Sequence, residues 1–181
     1  MIRKRYVLLA CLVLTACAGN TADLAVQADV DLEKYMGTWY EQARLPNKFQ
    51  QSCVGEVRAD YALLPEQRVS VTNQCITRSG SIEKAQALGR LNASIVPPST
   101  SKLEVRFAPA WLSWLSSVWG AYWIMKVQGD YEYALVGTPS REYLWVLSRQ
   151  AQGDKAIVQD LLNHAQKQGF AIENVIWDNN R

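Results

Sequence analysis

The stretch 35–44, Tyr-Met-Gly-Thr-Trp-Tyr-Glu-Gln-Ala-Arg, decides how the rest of the chain is interpreted. A short helical turn at 32–35 stops before Gly37, and the residues that follow alternate between two faces. Gly37, Trp39 and Glu41 fall on one face, which is the two-residue period of a β-strand. A lone large indole on one face of a strand needs a deep site. The stretch therefore predicts a first strand whose Trp39 is buried.

Further strand candidates follow this one, separated by turn residues such as Pro65-Glu66, Pro97-Pro98 and Gly129-Asp130. Short strands joined by hairpin-length links predict a mainly β fold, an eight-stranded up-and-down antiparallel β-barrel. The candidates after the first are 54–63, 68–76, 84–91, 102–107, 121–128, 131–137 and 143–149.

One amphipathic helix is predicted near the C-terminus, over 153–168. Asp154 is a candidate N-cap, and Gly169 lies just past the end. The helix should pack outside the barrel, with 170–177 returning as a short strand. Its apolar stripe is Ile157, Val158, Leu161, Leu162 and Ala165.

The turns predict which side chains face the barrel interior. If Gly129-Asp130 is a two-residue link, Ile124 faces Leu135, and the next link places Leu135 opposite Trp145. An eight-stranded barrel is just wide enough for side chains or one small ligand. The predicted interior face is Tyr122, Ile124, Leu135, Trp145 and Leu147. The opposite face, which the helix should cover, is Trp123, Met125, Val127, Ala134 and Val136.

Two motifs carry a family resemblance. The pattern Asp31-x-x-x-Tyr35-x-Gly37-x-Trp39-Tyr40-Glu41-x-Ala43-Arg44 and the run 131–149 resemble the lipocalin motifs, and the nearest likeness is to bacterial outer-membrane lipoprotein lipocalins. The resemblance implies structural roles for Gly37 and Trp39, which open the first strand and plug the closed end of the barrel. It also implies that Arg149 packs across the indole of Trp39. The alternative is a surface arginine at a strand end.

The first residues are typical of a secretory signal. Basic residues at 3–5 precede an apolar run, 6–14, that is too short to span a bilayer. Leu14-Thr15-Ala16-Cys17 resembles a lipobox, which makes 1–16 a lipoprotein signal peptide and Cys17 the lipid anchor, carrying palmitate. The alternative is a plain signal peptide cut near Ala16 or Ala18. We expect 17–30 to be a lipidated tether and 31–181 to be the barrel domain.

The charge balance limits the kinds of partner that the protein is expected to bind. The chain has 19 basic and 17 acidic residues, and three basic ones lie in the signal, which leaves 16 against 17. A near-neutral mature chain without a basic run gives no indication of nucleic-acid binding. Ala18 after Cys17 resembles lipoproteins sent to the outer membrane, so we expect anchoring there, on the periplasmic side.

No catalytic or metal-binding constellation has a recognisable spacing, so we expect neither enzymatic activity nor a cofactor.

Cys53 and Cys75 fall nearly opposite each other at the far end of one predicted hairpin, within disulfide reach. We therefore predict a Cys53–Cys75 disulfide, formed in an oxidising compartment. Two free thiols would instead favour a lipid-modifying enzyme.

The resemblance implies a carrier of a fatty acid or lysophospholipid in envelope maintenance. The alternatives are a scaffold lipoprotein with a self-filled barrel and an enzyme that acts on a bound lipid. An apolar cavity with an open mouth suits the carrier. Small residues at 85, 87 and 89 should leave room in it. Besides the interior face above, the expected ligand-binding residues are Val57, Ala59, Tyr61, Val71, Leu103 and Val105.

The stretch 109–119 is less easily explained by a barrel. Trp111, Trp114 and Trp119 recur at helical spacing, which predicts a short amphipathic helix or helical loop with three indoles on one side. The stretch links the fifth and sixth strands and should lie at the open end. It is either a lid folded over the cavity or a lip in the membrane interface.

Overall fold

The computed structural model describes residues 23–178, so the predicted signal peptide and Cys17 lie outside the described residues. The helices are α1 (Leu32–Tyr35) and α2 (Lys155–Lys167). The strands are β1 (Gly37–Arg44), β2 (Cys53–Leu64), β3 (Arg68–Thr77), β4 (Ile82–Leu91), β5 (Lys102–Arg106), β6 (Gly120–Gln128), β7 (Tyr133–Gly137), β8 (Leu144–Ser148) and β9 (Ile176–Trp177).

The strands form the predicted closed antiparallel barrel. Each strand from β2 to β7 pairs with the next, β8 pairs with β1, and β1 returns to β2 from Gly37↔Tyr61 to Tyr40↔Arg58. The short β9 adds an extra strand beside the upper end of β1. We call the end with the β1–β2, β3–β4, β5–β6 and β7–β8 links the mouth, and the end with α1 the closed end.

The helix α2 covers the outer face of the barrel, as predicted. Asp154 caps it by accepting a hydrogen bond from the Ala156 backbone N–H at 2.7 Å, and Gly169 follows its end with φ +91°. Val158, Leu161 and Leu162 are buried against Trp123 and Met125 of β6, in what we call the outer cluster. A second group, the inner cluster, fills the barrel around Trp39 and Ile124.

The inside-outside phase predicted for β7 is wrong. A register shift between Ile124 and Lys126 inserts one extra residue into β6, and a slip of one residue exchanges the two faces of a strand. Leu135 therefore pairs with Val146 and lies in the outer cluster, not in the interior. The residues that do face the interior are Val127, Ala134 and Val136, which we had placed outside.

Residues 24–30 are not a free tether. Leu24 is 2% exposed in the outer cluster, and Val30 is 3% exposed in the inner cluster. The backbone of Gln27 pairs with that of Ile124, at 3.0 Å from N to O, just beyond the pairing of Trp123 with Lys102, the first residue of β5. The segment thus covers the barrel wall beside β6, because removing its apolar side chains from water is favourable in free energy.

The stretch 109–119 forms two short 3-10 turns, Ala110–Leu112 and Ser116–Val118, instead of one amphipathic helix. The Trp119 indole N–H donates to the Ser113 carbonyl at 2.9 Å. Its ring lies against two guanidinium groups, 3.7 Å from Arg90 and 5.2 Å from Arg106. Trp119 is thus held by strands distant in sequence, whereas Trp111 and Trp114 are 73% and 77% exposed.

The predicted disulfide between Cys53 and Cys75 is present, with a Cα–Cα distance of 5.5 Å. It ties β2 to β3 at the mouth. The two cysteines are 22 positions apart in the sequence. Closing a loop of that length restricts the unfolded chain, which stabilises the fold by roughly 3 kcal/mol in the chain-entropy model.

Replacing both cysteines by serine should therefore lower the free energy of unfolding by roughly 3 kcal/mol. Urea titration of the parent and of the Cys53→Ser/Cys75→Ser variant measures this loss. Dithiothreitol is the control, because it should bring the parent to the midpoint of the variant and leave the variant unchanged. Equal midpoints without reductant would contradict the prediction.

Candidate functional site

The closed end is fastened by one arginine. The Arg149 guanidinium lies 3.8 Å from the Trp39 ring, and its N–H groups donate to the carbonyls of Lys34, Thr38 and Tyr131 at 2.7–3.1 Å. Gly37 makes this approach possible, because it holds φ at +95° and an added Cβ would lie 3.3 Å from Arg149 Nη1. A ligand must therefore enter at the mouth.

The lower interior is apolar and almost filled. Tyr61, Val71, Leu103, Val105 and Tyr122 line a gap of about 10 Å³, about enough for one water molecule. All five are residues that the sequence placed at the ligand site.

A chain of phenols crosses this region. The Tyr122 hydroxyl lies 2.8 Å from that of Tyr35 and 3.1 Å from that of Tyr61. Burial raises the pKa of Tyr61 to about 12 and that of Tyr122 well above its usual range. The phenols are therefore neutral at pH 7 and act as hydrogen-bonding groups.

The upper interior is more open. Ala85 of β4 faces inward opposite Asn73 of β3, which itself pairs with Ala59 of β2, yet Ala85 is exposed to solvent. The small side chains on these strands leave this space. The Asn73 side-chain carbonyl oxygen is buried there without a hydrogen-bond partner. A ligand hydroxyl at this level would satisfy that acceptor.

A polar network, which we call the mouth network, lies above the apolar interior, with Glu41 and Arg44 buried and its other members half-buried. Arg44 Nη1 is 2.6 Å from Glu41 Oε1, and the Gln50 amide donates to Glu41 Oε2 at 2.7 Å. The Gln50 carbonyl oxygen accepts from the Trp145 indole at 3.0 Å and from the Asn47 amide at 2.7 Å. Burial raises the pKa of Glu41, and the charge of Arg44 opposes that rise.

A larger space of about 500 Å³ opens beside this network at the mouth. Its lining includes the cationic side chains Arg44, Lys48 and Arg78 and the amides of Asn47 and Gln50. Cations and amides at the entrance suit an anionic polar group, whereas the apolar wall below suits a hydrocarbon chain.

The remaining predicted residues are distributed as follows. Val57 and Ala59 are buried on the same face of β2 as Tyr61. Ile124 is fully buried in the inner cluster, and Trp145 packs on that cluster with its indole in the mouth network. Leu135 lies outside the barrel and does not belong to the site.

Sequence reasoning missed the mouth network. Glu41 and Arg44 are three residues apart, so strict alternation puts them on opposite faces of β1. A register shift between Glu41 and Ala43 turns both inward instead. The spacing alone does not indicate that shift. The one available signal was that two oppositely charged residues, Glu41 and Arg44, stand together at the end of a barrel strand and could form an ion pair.

The comparisons with known proteins decide the family. The model of the lipocalin-like domain matches residues 30–180. The chain is a lipocalin. It is 34% identical over 156 residues to Temperature-induced lipocalin-1 of Arabidopsis thaliana, covering 84% of this chain and 81% of the relative. It is 29% identical over 171 residues to Outer membrane lipoprotein Blc of Citrobacter freundii, covering 93% and 90%.

Solved structures show the same fold for this lipocalin. Insecticyanin from the tobacco hornworm Manduca sexta superposes with a TM-score of 0.64 at 20% identity, covering 87% of this chain and 84% of that one. Lipocalins bind small hydrophobic ligands, and the barrel described above has an apolar interior of that kind.

Between residues 23 and 178, no group of three or more His, Cys, Asp or Glu side chains is placed to hold a metal ion. In the same range, neither helix is long and apolar enough to cross a membrane.

Proposed function

We propose that this lipocalin binds and carries a fatty acid or a lysophospholipid, one molecule per barrel, in maintenance of the cell envelope. The observation that carries the proposal is the space of about 500 Å³ at the mouth, whose lining includes cationic side chains, in a barrel whose interior is apolar. The anionic group of the ligand sits near Lys48 and Arg78, since Arg44 is already paired with Glu41. The acyl chain occupies the upper interior beside Ala85, above the nearly filled level of Tyr122.

The same proposal includes the location. Cys17 is the lipid anchor, and the protein is held on the periplasmic side of the outer membrane. The lipobox motif and the similarity to proteins named Outer membrane lipoprotein Blc support this placement.

The buried Asn73 acceptor favours a ligand with a free hydroxyl, and a lysophospholipid has one on its glycerol.

Native mass spectrometry of the folded chain with a panel of lipids tests the function. We expect a one-to-one adduct with palmitate or a lysophospholipid, and none with a short anion such as acetate. Failure of every acyl lipid to bind would favour the alternative, a scaffold lipoprotein whose barrel is filled by its own side chains.

Trp145 gives a residue-level prediction. Because its indole closes the upper side of the interior, Trp145→Ala should weaken acyl-lipid binding about tenfold, the cost of losing one aromatic contact. Trp177→Ala is the matched control, since Trp177 pairs with Ala43 on the outer face and is 40% exposed. Titration by indole fluorescence measures both. Equal affinity of the parent and Trp145→Ala would place the ligand elsewhere.

A further inference from the structure

We propose that the mouth of the barrel docks onto the surface of a lipid bilayer, with Trp111 and Trp114 in the headgroup interface. This inference rests on the proposed function, because a carrier of membrane lipids must meet the membrane that supplies or receives them. The residues that carry it belong to the links at the mouth, not to the ligand cavity itself.

The mouth presents large apolar side chains to solvent on three separate links. Trp111 is 73% and Trp114 77% exposed on the β5–β6 link, Phe49 is 61% exposed on the β1–β2 link, and Ile82 is 61% exposed where β4 begins after the β3–β4 link. Exposed apolar residues gathered around one opening are unusual for a soluble surface and mark an interaction site.

The closed end exposes the aliphatic side chains Val96, at 89%, and Leu63, at 40%, together with charged groups. Lys34 and Asp130 form an exposed ion pair at 2.9 Å there, and Glu66 of the β2–β3 turn lies 3.6 Å from Arg68, the first residue of β3. Charged links remain in water, whereas indoles are enriched at the level of lipid headgroups, because one edge is polar and the rest is apolar. The two ends thus differ in the environment that each prefers.

Trp119 fixes the direction of the β5–β6 link. Its ring packs against Arg90 and Arg106, which lie on the outer face of β4 and β5. The base of the link is therefore held on the outer wall of the barrel. Trp111 and Trp114 are 73% and 77% exposed, so they are not packed down over the opening, which favours a lip over a lid.

The route of the N-terminal segment points the same way. The backbone N–H of Ala25 donates to the Gln168 side chain at 2.8 Å, and the Gln168 carbonyl accepts from Arg141 on the β7–β8 link. The chain therefore enters the described structure near the mouth. Six residue steps separate Asp23 from Cys17, and they span at most about 20 Å. A lipid on Cys17 would hold the mouth close to the bilayer.

The proposed occupant is therefore the bilayer surface and not a second copy of the chain. The apolar residues encircle an opening that a ligand must use, and the anchoring sequence leaves the fold at the same end. With the mouth in the interface, an acyl ligand passes between bilayer and barrel without crossing water.

Flotation of an unlipidated chain that begins at Ala18 tests the docking separately from the anchor. This chain keeps every residue that the structure describes. With vesicles of phosphatidylethanolamine and phosphatidylglycerol, we expect the parent to float and Trp111→Ser/Trp114→Ser to bind about tenfold less. The matched control adds Val96→Trp to that variant. It restores an indole at a closed-end position where valine is 89% exposed, and it should not restore binding.

Three outcomes would overturn the proposal. They are equal flotation of the parent and the double variant, recovery of binding by Val96→Trp, and a parent dimer in gel filtration that the double variant lacks. Palmitate binding in vesicle-free solution should be the same in the parent and the double variant. Loss of that binding in both chains, with flotation of the parent intact, would contradict the proposed function and leave the docking in place.

Discussion

Replacing Trp39 by alanine is expected to lower the free energy of unfolding by about 3–5 kcal/mol, the usual cost of emptying a fully buried aromatic site. Trp39 is 0% exposed, packs against Tyr35 at 5.1 Å between ring centroids and lies under the Arg149 guanidinium. Its indole N–H also satisfies the Tyr35 carbonyl at 2.8 Å. The variant loses all of these contacts together.

Urea unfolding measures this loss, and Trp111→Ala is the matched control. The Trp111 side chain is 73% exposed, so its removal should change the unfolding free energy by less than about 0.5 kcal/mol. Similar midpoints for the two variants would show that the Trp39 plug does not support the fold.

The plug could be predicted from the sequence because its determinants are local. Gly37 and Trp39 follow strand alternation, and Arg149 directly follows β8, two residues after Leu147, which pairs with Glu41 of β1. Strand number and order followed from turn residues in the same way. The Cys53–Cys75 pairing required only that two strands of one hairpin lie side by side.

The failed predictions lie where one extra residue exchanges the inward and outward faces of a strand. The register shift next to Met125 moved Leu135 outside, and the shift at Gln42 brought Arg44 inside beside Glu41. Side-chain alternation carries no record of such shifts, because tertiary packing selects them. Of the two forms predicted for 109–119, the structure has the helical loop, as two 3-10 turns, and not the single amphipathic helix. Arg90 and Arg106 hold Trp119 from strands distant in sequence, which the helical spacing could not show.

Replacing Arg44 by methionine should also lower stability by about 3–5 kcal/mol at pH 7, the usual cost of breaking a buried ion pair. The side chains of Arg44 and Glu41 are 8% and 3% exposed. Methionine keeps much of the volume of arginine but removes the guanidinium that offsets the Glu41 charge. The double variant Glu41→Gln/Arg44→Met is the control. It should regain much of the loss, because it no longer buries a carboxylate.

The pH dependence separates this effect from a packing defect. Burial already raises the pKa of Glu41 in the folded protein, and removing Arg44 raises it further, since the opposing charge is lost. Glu41 then holds its proton more tightly in the folded variant than in the unfolded chain. The stability of the variant therefore falls as the pH rises from the unfolded pKa of Glu41 to its folded pKa, and recovers as the pH falls. The difference in unfolding free energy between the parent and Arg44→Met should therefore be smaller at pH 5 than at pH 7. Urea titrations at both pH values measure it. A difference that is the same at both would mean that lost packing, not the buried charge of Glu41, causes the destabilisation.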